Sequence, residues 1–289
     1  MKNKILSLLI ILIIFSCKEN STQEKLLKKE NDLSEYNLKN NVKYFLAIKY
    51  IAKDSFGIVL KNGIYKDKYD NLSEYEESIS FNKEGFVLNK IEFNDGKIKS
   101  KEVFIRDSLN RKSQLKHFNS KNEFTRKDIF KYNENGKINE MSGYNNNGNI
   151  IGKWIFVYEK DKMTRIGYDS KGSMGSKHIS SFNKLGELDE LKYLDFDNSK
   201  LNYTDKFRYD KEQNTKTEFS TPHYSSGLDD TKWITKYNEK GDLIERILND
   251  TYVTKFQYEY DKSNNWIKQI EYSEGFPRYI IERKINYYN

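Results

Sequence analysis

The 289-residue sequence contains little cysteine, proline or aliphatic residue, and each shortage excludes a class of protein. A single cysteine excludes a disulfide framework and a metal site built from several cysteine ligands. Two prolines exclude a proline-rich stalk. Hydrophobic residues make up only 36% of the chain, which argues against a polytopic membrane protein and against a thick aliphatic core.

Aromatic and charged residues are abundant instead. Tyr (22) and Phe (17) dominate an aromatic share of 15%, which excludes a disordered chain because disordered segments contain few aromatic side chains. Charged residues make up 32% and give a net charge of +7. Since Lys and Arg alternate with Asp and Glu along the chain, this charge indicates solvated strand faces, and we expect no nucleic-acid partner.

The N-terminus has the pattern of an export signal. Lys2 and Lys4 precede an almost unbroken apolar run over residues 5–15. This run is too short for a membrane-spanning helix, which needs about 20 residues, but it is typical of a signal peptide. Residues 14–17, Ile-Phe-Ser-Cys, resemble the lipobox of bacterial lipoproteins, with Phe15 where a small residue is commoner. An ordinary signal peptide and an uncleaved anchor are the alternatives.

The lipobox resemblance implies a domain organisation and a cellular location. Residues 1–16 are expected to be a lipoprotein signal peptide, and residues 17–41 a lipidated Cys17 followed by a polar tether. A short helix over residues 22–33 is the alternative to a tether throughout. The β-repeat domain is expected over residues 42–289. The N-terminal lipid would make a membrane of the bacterial cell envelope a partner of the protein. We expect this to be the outer membrane, with the protein on its periplasmic face or at the cell surface.

One short phrase recurs from Phe81 to Tyr260. It consists of an aromatic residue, Asn or Asp, two or three polar residues and Gly, and it returns on average about every 13 residues. The Asn or Asp side chain can accept a hydrogen bond from the backbone two residues on, and Gly supplies the positive φ of a tight turn. The phrase therefore predicts hairpin turns with structural glycines, which are Gly85, Gly136, Gly148, Gly172, Gly186 and Gly241.

Residues between the turns alternate as half-buried strands do. Residues 252–260 place Tyr or another large side chain at most alternate positions, and residues 278–289 form the last expected strand. Residues 150–158 are apolar on both faces, which predicts a strand more covered than its neighbours. The predicted fold is all-β, an antiparallel meander of about fourteen to eighteen strands. Because open sheets rarely exceed about 10 strands, we expect one long twisted or curled sheet, a spiral or partial barrel.

The repeated phrase, for example Tyr-Asn-Glu-Asn-Gly at residues 132–136, resembles the YD repeats of the RHS family. Residues 42–289 are similar as a whole to the repeat lipoproteins of Bacteroidetes, through residues 42–63, the Asn-Trp-Ile at 265–267 and the Ile-Glu-Arg at 281–283. A weaker likeness, through the Gly-Lys-Trp at 152–154, is to MORN-like repeat antitoxin proteins. These resemblances imply a β-repeat architecture and do not name a ligand.

No arrangement of residues typical of catalysis is evident in the sequence. His117, His178 and His223 lie in different repeats without metal-ligand spacing, and no nucleophile elbow or phosphate-binding glycine loop occurs. We therefore expect no enzyme activity, no cofactor and no metal. Flat rings can stack on the faces of sugars, so the candidate ligand-stacking residues are Trp154, Trp233 and Trp266, with packing inside the sheet as the alternative role of each.

Two hypotheses of function follow from these observations. The first is a non-catalytic, lipid-anchored protein of the cell envelope that binds another protein or a polysaccharide. The second is an immunity protein, similar to an antitoxin, that neutralises a toxin at the envelope. A hydrolase would require His or carboxylate side chains from distant repeats to meet in one pocket.

Overall fold

Nineteen β-strands and one short 3₁₀ turn, Asp32–Tyr36, make up the computed structural model, which describes residues 31–66, 76–194, 201–223 and 229–289. Cys17 and the predicted signal peptide lie outside the described residues. The strands are β1 (Val42–Ser55), β2 (Ile58–Ile64), β3 (Glu76–Phe81), β4 (Val87–Asn94), β5 (Lys97–Arg106), β6 (Lys112–Phe118), β7 (Phe124–Tyr132), β8 (Ile138–Asn145), β9 (Ile150–Tyr158), β10 (Lys162–Asp169), β11 (Met174–Phe182), β12 (Leu188–Leu194), β13 (Leu201–Asp210), β14 (Thr215–Pro222), β15 (Thr231–Tyr237), β16 (Leu243–Leu248), β17 (Tyr252–Tyr260), β18 (Trp266–Ser273) and β19 (Phe276–Tyr287).

Nine of the described turns share one hydrogen-bond pattern. The side-chain oxygen of an Asn or Asp accepts the backbone N–H of the residue four positions later, as Asn82 does from Phe86. The fourth residue of each turn has a positive φ, and it is Gly in six turns. In the other three turns an Asn takes this position, because Asn tolerates the left-handed conformation; these are Asn110, Asn122 and Asn264.

The sheet closes on itself. Each strand from β3 to β18 pairs antiparallel with the next strand in the chain, and β1 pairs with β19 on one side and β3 on the other, so that Phe45 lies opposite both Ile285 and Ile79. The all-β antiparallel meander is thus confirmed, whereas the expected spiral or partial barrel is replaced by a closed barrel of 18 strands. Closure leaves the ring no free edge, which removes the main liability of a long open sheet.

Strand β2 stands outside the ring. It pairs with the last part of β1, where Ser55 lies opposite Ile58, and extends β1 into a two-stranded hairpin. Since successive hairpins point to opposite ends of the ring, two rims result. The first rim contains the β3–β4, β5–β6, β15–β16 and β17–β18 turns. The opposite rim contains the β1–β2, β4–β5, β8–β9, β16–β17 and β18–β19 turns.

One face of the sheet forms the inner wall of the ring. Directly paired residues of antiparallel strands point to the same side, and pairs followed from Phe45 through Ile285 around the ring return to Ile79 without a change of face. This face carries the core at the first rim. The buried cluster consists of Leu33, Leu38, Val42, Phe45, Ala47, Ile79, Phe81, Val87, Trp266 and Ile281.

Residues 31–41, which we call the N-terminal segment, pack into the first rim. Leu33 and Leu38 are each 6% exposed and lie in the core cluster. The carboxylate of Asp32 pairs with Arg106 and accepts the backbone N–H of Val87 at 2.8 Å. The folded unit therefore begins at Asn31 and not at residue 42, because a tether would leave these leucines and this ion pair in solvent.

Strand β9 has the predicted bounds but is not more covered than its neighbours. Ile150, Ile151 and Val157 are 39%, 43% and 46% exposed. Because Ile150 and Ile151 are adjacent and point to opposite faces of the strand, both faces of β9 are open to solvent at this end. Within the described ranges, no helix is both long enough and apolar enough to cross a membrane.

Candidate functional site

A row of aromatic and basic side chains crosses five neighbouring strands of the inner wall. The register places Arg165 of β10 opposite His178 of β11, His178 opposite Tyr193 of β12, and Tyr193 opposite Tyr203 of β13. Trp154 of β9 is paired with Gly167, two residues beyond Arg165 on β10. Because paired residues point to the same side, these five side chains lie on one surface, which we call the inner-wall row.

The side chains of the row contact one another. The Tyr193 and Tyr203 rings stack with centroids 4.0 Å apart, and the His178 ring lies 4.6 Å from Tyr193 and 5.5 Å from Trp154. The Arg165 guanidinium lies 4.5 Å from the Trp154 ring and donates to Nδ1 of His178 at 2.6 Å. The row is therefore held in place before any ligand binds, which reduces the entropy cost of binding.

The row is almost uncharged. Burial, together with the positive charge of Arg165, lowers the pKa of His178, so its imidazole is neutral at neutral pH. Burial raises the pKa of Tyr193 to about 12, so its phenol keeps its proton. The row thus offers flat ring faces, neutral hydroxyls and a single guanidinium. Neutral ligands with several hydroxyl groups and an apolar ring face suit this chemistry.

A recess of about 420 Å³ adjoins the row at Trp154. Gly143 of β8, Gly152 of β9 and Gly167 of β10 line it on adjacent strands. A Cβ at Gly167 would lie 2.8 Å from the Trp154 ring, so only glycine leaves room for the indole there. Glycine in the middle of a strand weakens the sheet and marks a close approach. Three of them on neighbouring strands therefore make a depression in the inner wall.

A charged cluster borders this recess. His117 Nε2 lies 2.8 Å from Asp128 Oδ2, and His117 Nδ1 lies 3.2 Å from Glu102 Oε1. Hydrogen bonds to the two carboxylates raise the pKa of His117 to about 9, and the bond to Asp128 has the larger effect. The imidazole is therefore protonated at neutral pH and donates from both nitrogens. A histidine in this state cannot act as a general base, because it has no free lone pair.

The structure separates the three tryptophans. Trp233 lines a second recess of about 320 Å³ on the inner wall, together with Lys216, Glu218 and Arg246. Trp266 is 9% exposed and belongs to the core cluster, where the Arg283 guanidinium lies 3.4 Å from its ring. Trp154 and Trp233 thus lie on the inner wall at two separate places. Trp266 packs in the core, which was the alternative to ligand stacking.

The three histidines are also apart. His117 belongs to the charged cluster, His178 to the inner-wall row, and His223 Nε2 lies 3.0 Å from Thr204 Oγ1. In the described part of the chain, no group of three or more His, Cys, Asp or Glu side chains could hold a metal ion. The six predicted turn glycines all have positive φ, at 71° to 85°.

Sequence reasoning named Trp154 but missed the other members of the row. Arg165, His178, Tyr193 and Tyr203 each stand at an ordinary alternating strand position, which carries no signal alone. The signal lies in the register, since only the pairing of β9 to β13 brings them together.

Comparisons with known proteins give structural likenesses and no sequence relative. No protein-family model matches the chain, and no curated protein sequence does. A porin-like protein from Bacteroides uniformis is similar over 86% of this chain and 99% of its own, with a TM-score of 0.44 and 8% identity. The TcdB2-TccC3 structure without its hypervariable C-terminal region is similar over 81% of this chain and 16% of its own, with a TM-score of 0.33 and 8% identity. Neither likeness carries an argument about function.

Proposed function

We propose that this protein is a non-catalytic, lipid-anchored binding protein of the bacterial cell envelope, and that its inner-wall row binds a polysaccharide chain. The observation that carries the binding proposal is the continuous contact from Trp154 through His178 and Tyr193 to Tyr203. The envelope address is supported by the export signal and the lipobox-like residues 14–17. We also propose that the chain is a YD-repeat lipoprotein, as its turn phrase and lipobox-like residues suggest.

A polysaccharide fits the row better than a folded protein does. The row crosses five strands, and four inter-strand spacings of about 4.8 Å give a track of about 19 Å. Such a track on a wall that curves inward suits an extended, flexible chain of rings. The Trp154 end opens into the glycine-lined recess, where Arg126 and Asp128 add polar groups beside the indole.

The binding proposal is tested with residues 18–289, which contain the whole folded unit. Wild-type protein is applied to a glycan array, and the affinity for the best oligosaccharide is measured by calorimetry. Trp154→Ala and Tyr193→Ala should each weaken binding about tenfold or more, the size expected for losing one stacked ring. The matched control is Tyr272→Ala, because Tyr272 lies outside the row, and it should bind as wild type does.

Two results would contradict the proposal. One is an array without a single bound glycan, and the other is unchanged affinity in both row variants. Neutralisation of a toxin remains the second hypothesis. It predicts that deletion of the gene sensitises the cell to a toxin encoded beside it.

The lipid anchor has its own test, which is metabolic labelling with a radioactive or clickable fatty acid. Wild-type protein should be labelled and Cys17→Ala should not, because Cys17 is the one thiol in the chain that could carry acyl groups. Labelling of Cys17→Ala at the wild-type level would contradict the anchor.

A further inference from the structure

We propose that the outer wall of the ring, which is the face opposite the inner wall, binds a flexible acidic polysaccharide along a line of five lysines. Three observations carry the proposal: the separation of charge between the two faces of strands β5 to β11, the spacing of the lysines, and a pair of like charges among them. The five lysines, which we call the basic line, are Lys101, Lys116, Lys127, Lys153 and Lys177.

The strands place the lysines of the basic line and nearby acidic residues on opposite faces. Adjacent residues of a strand point to opposite sides of the sheet. Glu102 and Asp128 face inward, where both contact His117, so the preceding Lys101 and Lys127 face outward. Each of the other three lysines also precedes a residue of the inner wall, which is His117, Trp154 or His178. Charges that alternate along the chain are therefore separated in the structure.

The outer wall of these strands has an excess of positive charge. Over residues 101–182, the outward-facing strand positions hold seven lysines and a single acidic residue, and these are the basic line, Lys131, Lys162 and Glu140. Glu140 and Lys131 form an ion pair of 2.8 Å, so they neutralise each other. Within the described ranges, no lysine of the basic line forms an ion pair.

The turns at the two ends of these strands do not offset this charge. They hold five acidic and five basic residues, which are Asp107, Glu123, Glu134, Glu159 and Asp161 against Arg111, Lys121, Lys137, Lys160 and Lys171. Asp169, at the end of β10, lies opposite Gly152 of the inner wall. Its carboxylate accepts the backbone N–H groups of Lys171 and Ser173 in its own turn.

The basic line follows one diagonal across the sheet. From Lys101 to Lys116 it crosses one strand and moves two residues toward the first rim. From Lys127 to Lys153, and again from Lys153 to Lys177, it crosses two strands and moves two residues the same way. Strands about 4.8 Å apart, with a rise of about 3.3 Å per residue, make these steps about 8–12 Å and the whole line about 35 Å long.

One pair within the line is unfavourable for the sheet. Lys116 and Lys127 lie directly opposite each other on β6 and β7. Like charges at paired positions of adjacent strands destabilise a sheet. Since neither lysine has an acidic partner among the described residues, the protein itself does not offset this repulsion. An anionic ligand that contacts both ammonium groups would do so.

Aromatic rings restrict three lysines of the line. Each ammonium group lies over a ring on the next strand, which supports it through a cation–π contact. The distances from Nζ to the ring centroid are 5.8 Å for Lys101 and Phe118, 5.7 Å for Lys127 and Tyr144, and 5.4 Å for Lys153 and Tyr168. These half-buried side chains are therefore partly ordered before a ligand binds, which reduces the entropy cost of binding.

A flexible acidic polysaccharide fits the basic line better than other polyanions do. The outer wall of a ring is convex, so a flat membrane or a straight duplex contacts it over a short distance, whereas a flexible chain follows the whole line. Duplex DNA also carries one phosphate about every 3.4 Å along each strand, which is much closer than the lysines. Carboxylates or sulfates on successive or alternate sugar rings are more widely spaced. The compact ammonium group of lysine suits either anion.

The test uses residues 18–289 without acyl chains. Binding of polygalacturonate, dextran sulfate and neutral dextran is measured by calorimetry at low and at physiological salt. Wild-type protein should bind at least one of the two acidic polymers more strongly than neutral dextran, and this binding should weaken steeply as salt rises, because salt screens exposed charges. The comparison of the two acidic polymers shows whether carboxylate or sulfate is preferred.

The triple variant Lys116→Gln/Lys127→Gln/Lys153→Gln should bind the preferred acidic polymer about tenfold or more weakly, as expected for the loss of three exposed ionic contacts. The matched control removes the same charge from exposed, outward-facing lysines on β15, β17 and β19, and should stay within about twofold of wild type. This control is Lys236→Gln/Lys255→Gln/Lys284→Gln. Trp154→Ala should also bind the acidic polymer as wild type does, which separates this contact from the inner-wall row.

A single charge reversal distinguishes ligand binding from a role in stability. Lys116→Glu places a carboxylate directly opposite Lys127, so the repulsive pair becomes attractive. The Tm of this variant should rise while its affinity for the acidic polymer falls. A structural role for Lys116 would instead lower the Tm.

Four outcomes would overturn the proposal. They are a wild-type protein that binds neither acidic polymer at low salt, an equal loss of affinity in the two triple variants, a Lys116→Glu variant with a lowered Tm or with wild-type affinity, and tighter binding of duplex DNA or of phosphatidylglycerol vesicles than of either acidic polymer. The last result would assign the basic line to a nucleic acid or to a membrane.

Discussion

At the scale of single residues, the side-chain oxygens of Asn and Asp specify nine of the described turns of this sheet. Each such oxygen accepts a backbone N–H four residues later, and the residue before that N–H takes a positive φ. The turn is thus closed by two local requirements that do not involve the neighbouring strands. Strand residues on the inner wall are then free to carry rings, glycines or charges, as the inner-wall row and the recess do.

The cluster of Glu102, His117 and Asp128 makes stability depend on pH in a defined direction. An unfolded histidine has a pKa of about 6.5, and the two carboxylates raise the pKa of His117 to about 9 in the folded protein. Because the protonated form is stabilised, this contribution is complete below about pH 6.5 and is lost as the pH rises through about 9.

We therefore expect His117→Gln to lower the Tm most at about pH 6 and much less at about pH 10, as followed by thermal melts across that range. His178→Gln is the matched control, because its effect on the Tm should depend on pH in the opposite direction. Burial lowers the pKa of His178, so its contribution is present above about pH 6.5 and is lost as the pH falls through its folded pKa. A Tm difference for His117→Gln that does not vary with pH would contradict this prediction.

At the scale of elements, the N-terminal segment joins parts of the ring that are distant in the chain. The Asn37 amide donates to the Lys240 carbonyl and to Asp242 Oδ1. Asn265 uses its side chain to bond both the N–H and the C=O of Lys39, at 2.7 and 2.9 Å. On the other side of the rim, Asp32 pairs with Arg106. The segment therefore ties the β5 side of the rim to the β15–β18 turns.

Truncated proteins can show whether the N-terminal segment stabilises the ring or is only a tether. A protein that begins at residue 31 should melt as the longer chain does, whereas one that begins at residue 42 should be severely destabilised or unfolded. Loss of the partner of a buried Arg106 costs about 3–5 kcal/mol, and loss of two buried leucines costs about 1.5–3 kcal/mol each. Together these approach the whole stability of a typical domain, about 5–15 kcal/mol.

Because the shorter protein can fail to fold, Leu38→Ala supplies a graded measurement. Chemical denaturation should show a loss of about 2–5 kcal/mol for this variant. The matched control is Leu185→Ala at an exposed turn position, which should cost less than about 0.5 kcal/mol. If residues 42–289 melted at the same temperature as residues 31–289, the segment would have no structural role.

At the scale of the whole molecule, the features that could be predicted from the sequence are those that depend on residues close together in the chain. The turn phrase predicts the hairpins and their glycines, and alternation predicts β9 and β17 with their observed bounds. Closure could not be predicted in this way, because it depends on β1 pairing with a strand more than 200 residues later, as Phe45 does with Ile285. The inner-wall row depends likewise on register. The N-terminal segment carries no repeat, so nothing in the pattern marks Leu33 and Leu38 as core.

The meeting of β1 and β19 also determines where the chain ends lie. Tyr288 donates its backbone N–H to the Asn41 carbonyl at 2.8 Å, so both ends of the strand ring sit side by side at the first rim. The order of strands around the ring therefore has no structural beginning. A circular permutant, with Asn289 linked to the N-terminal segment and new termini in another turn of that rim, would keep every strand pair while leaving the opposite rim untouched.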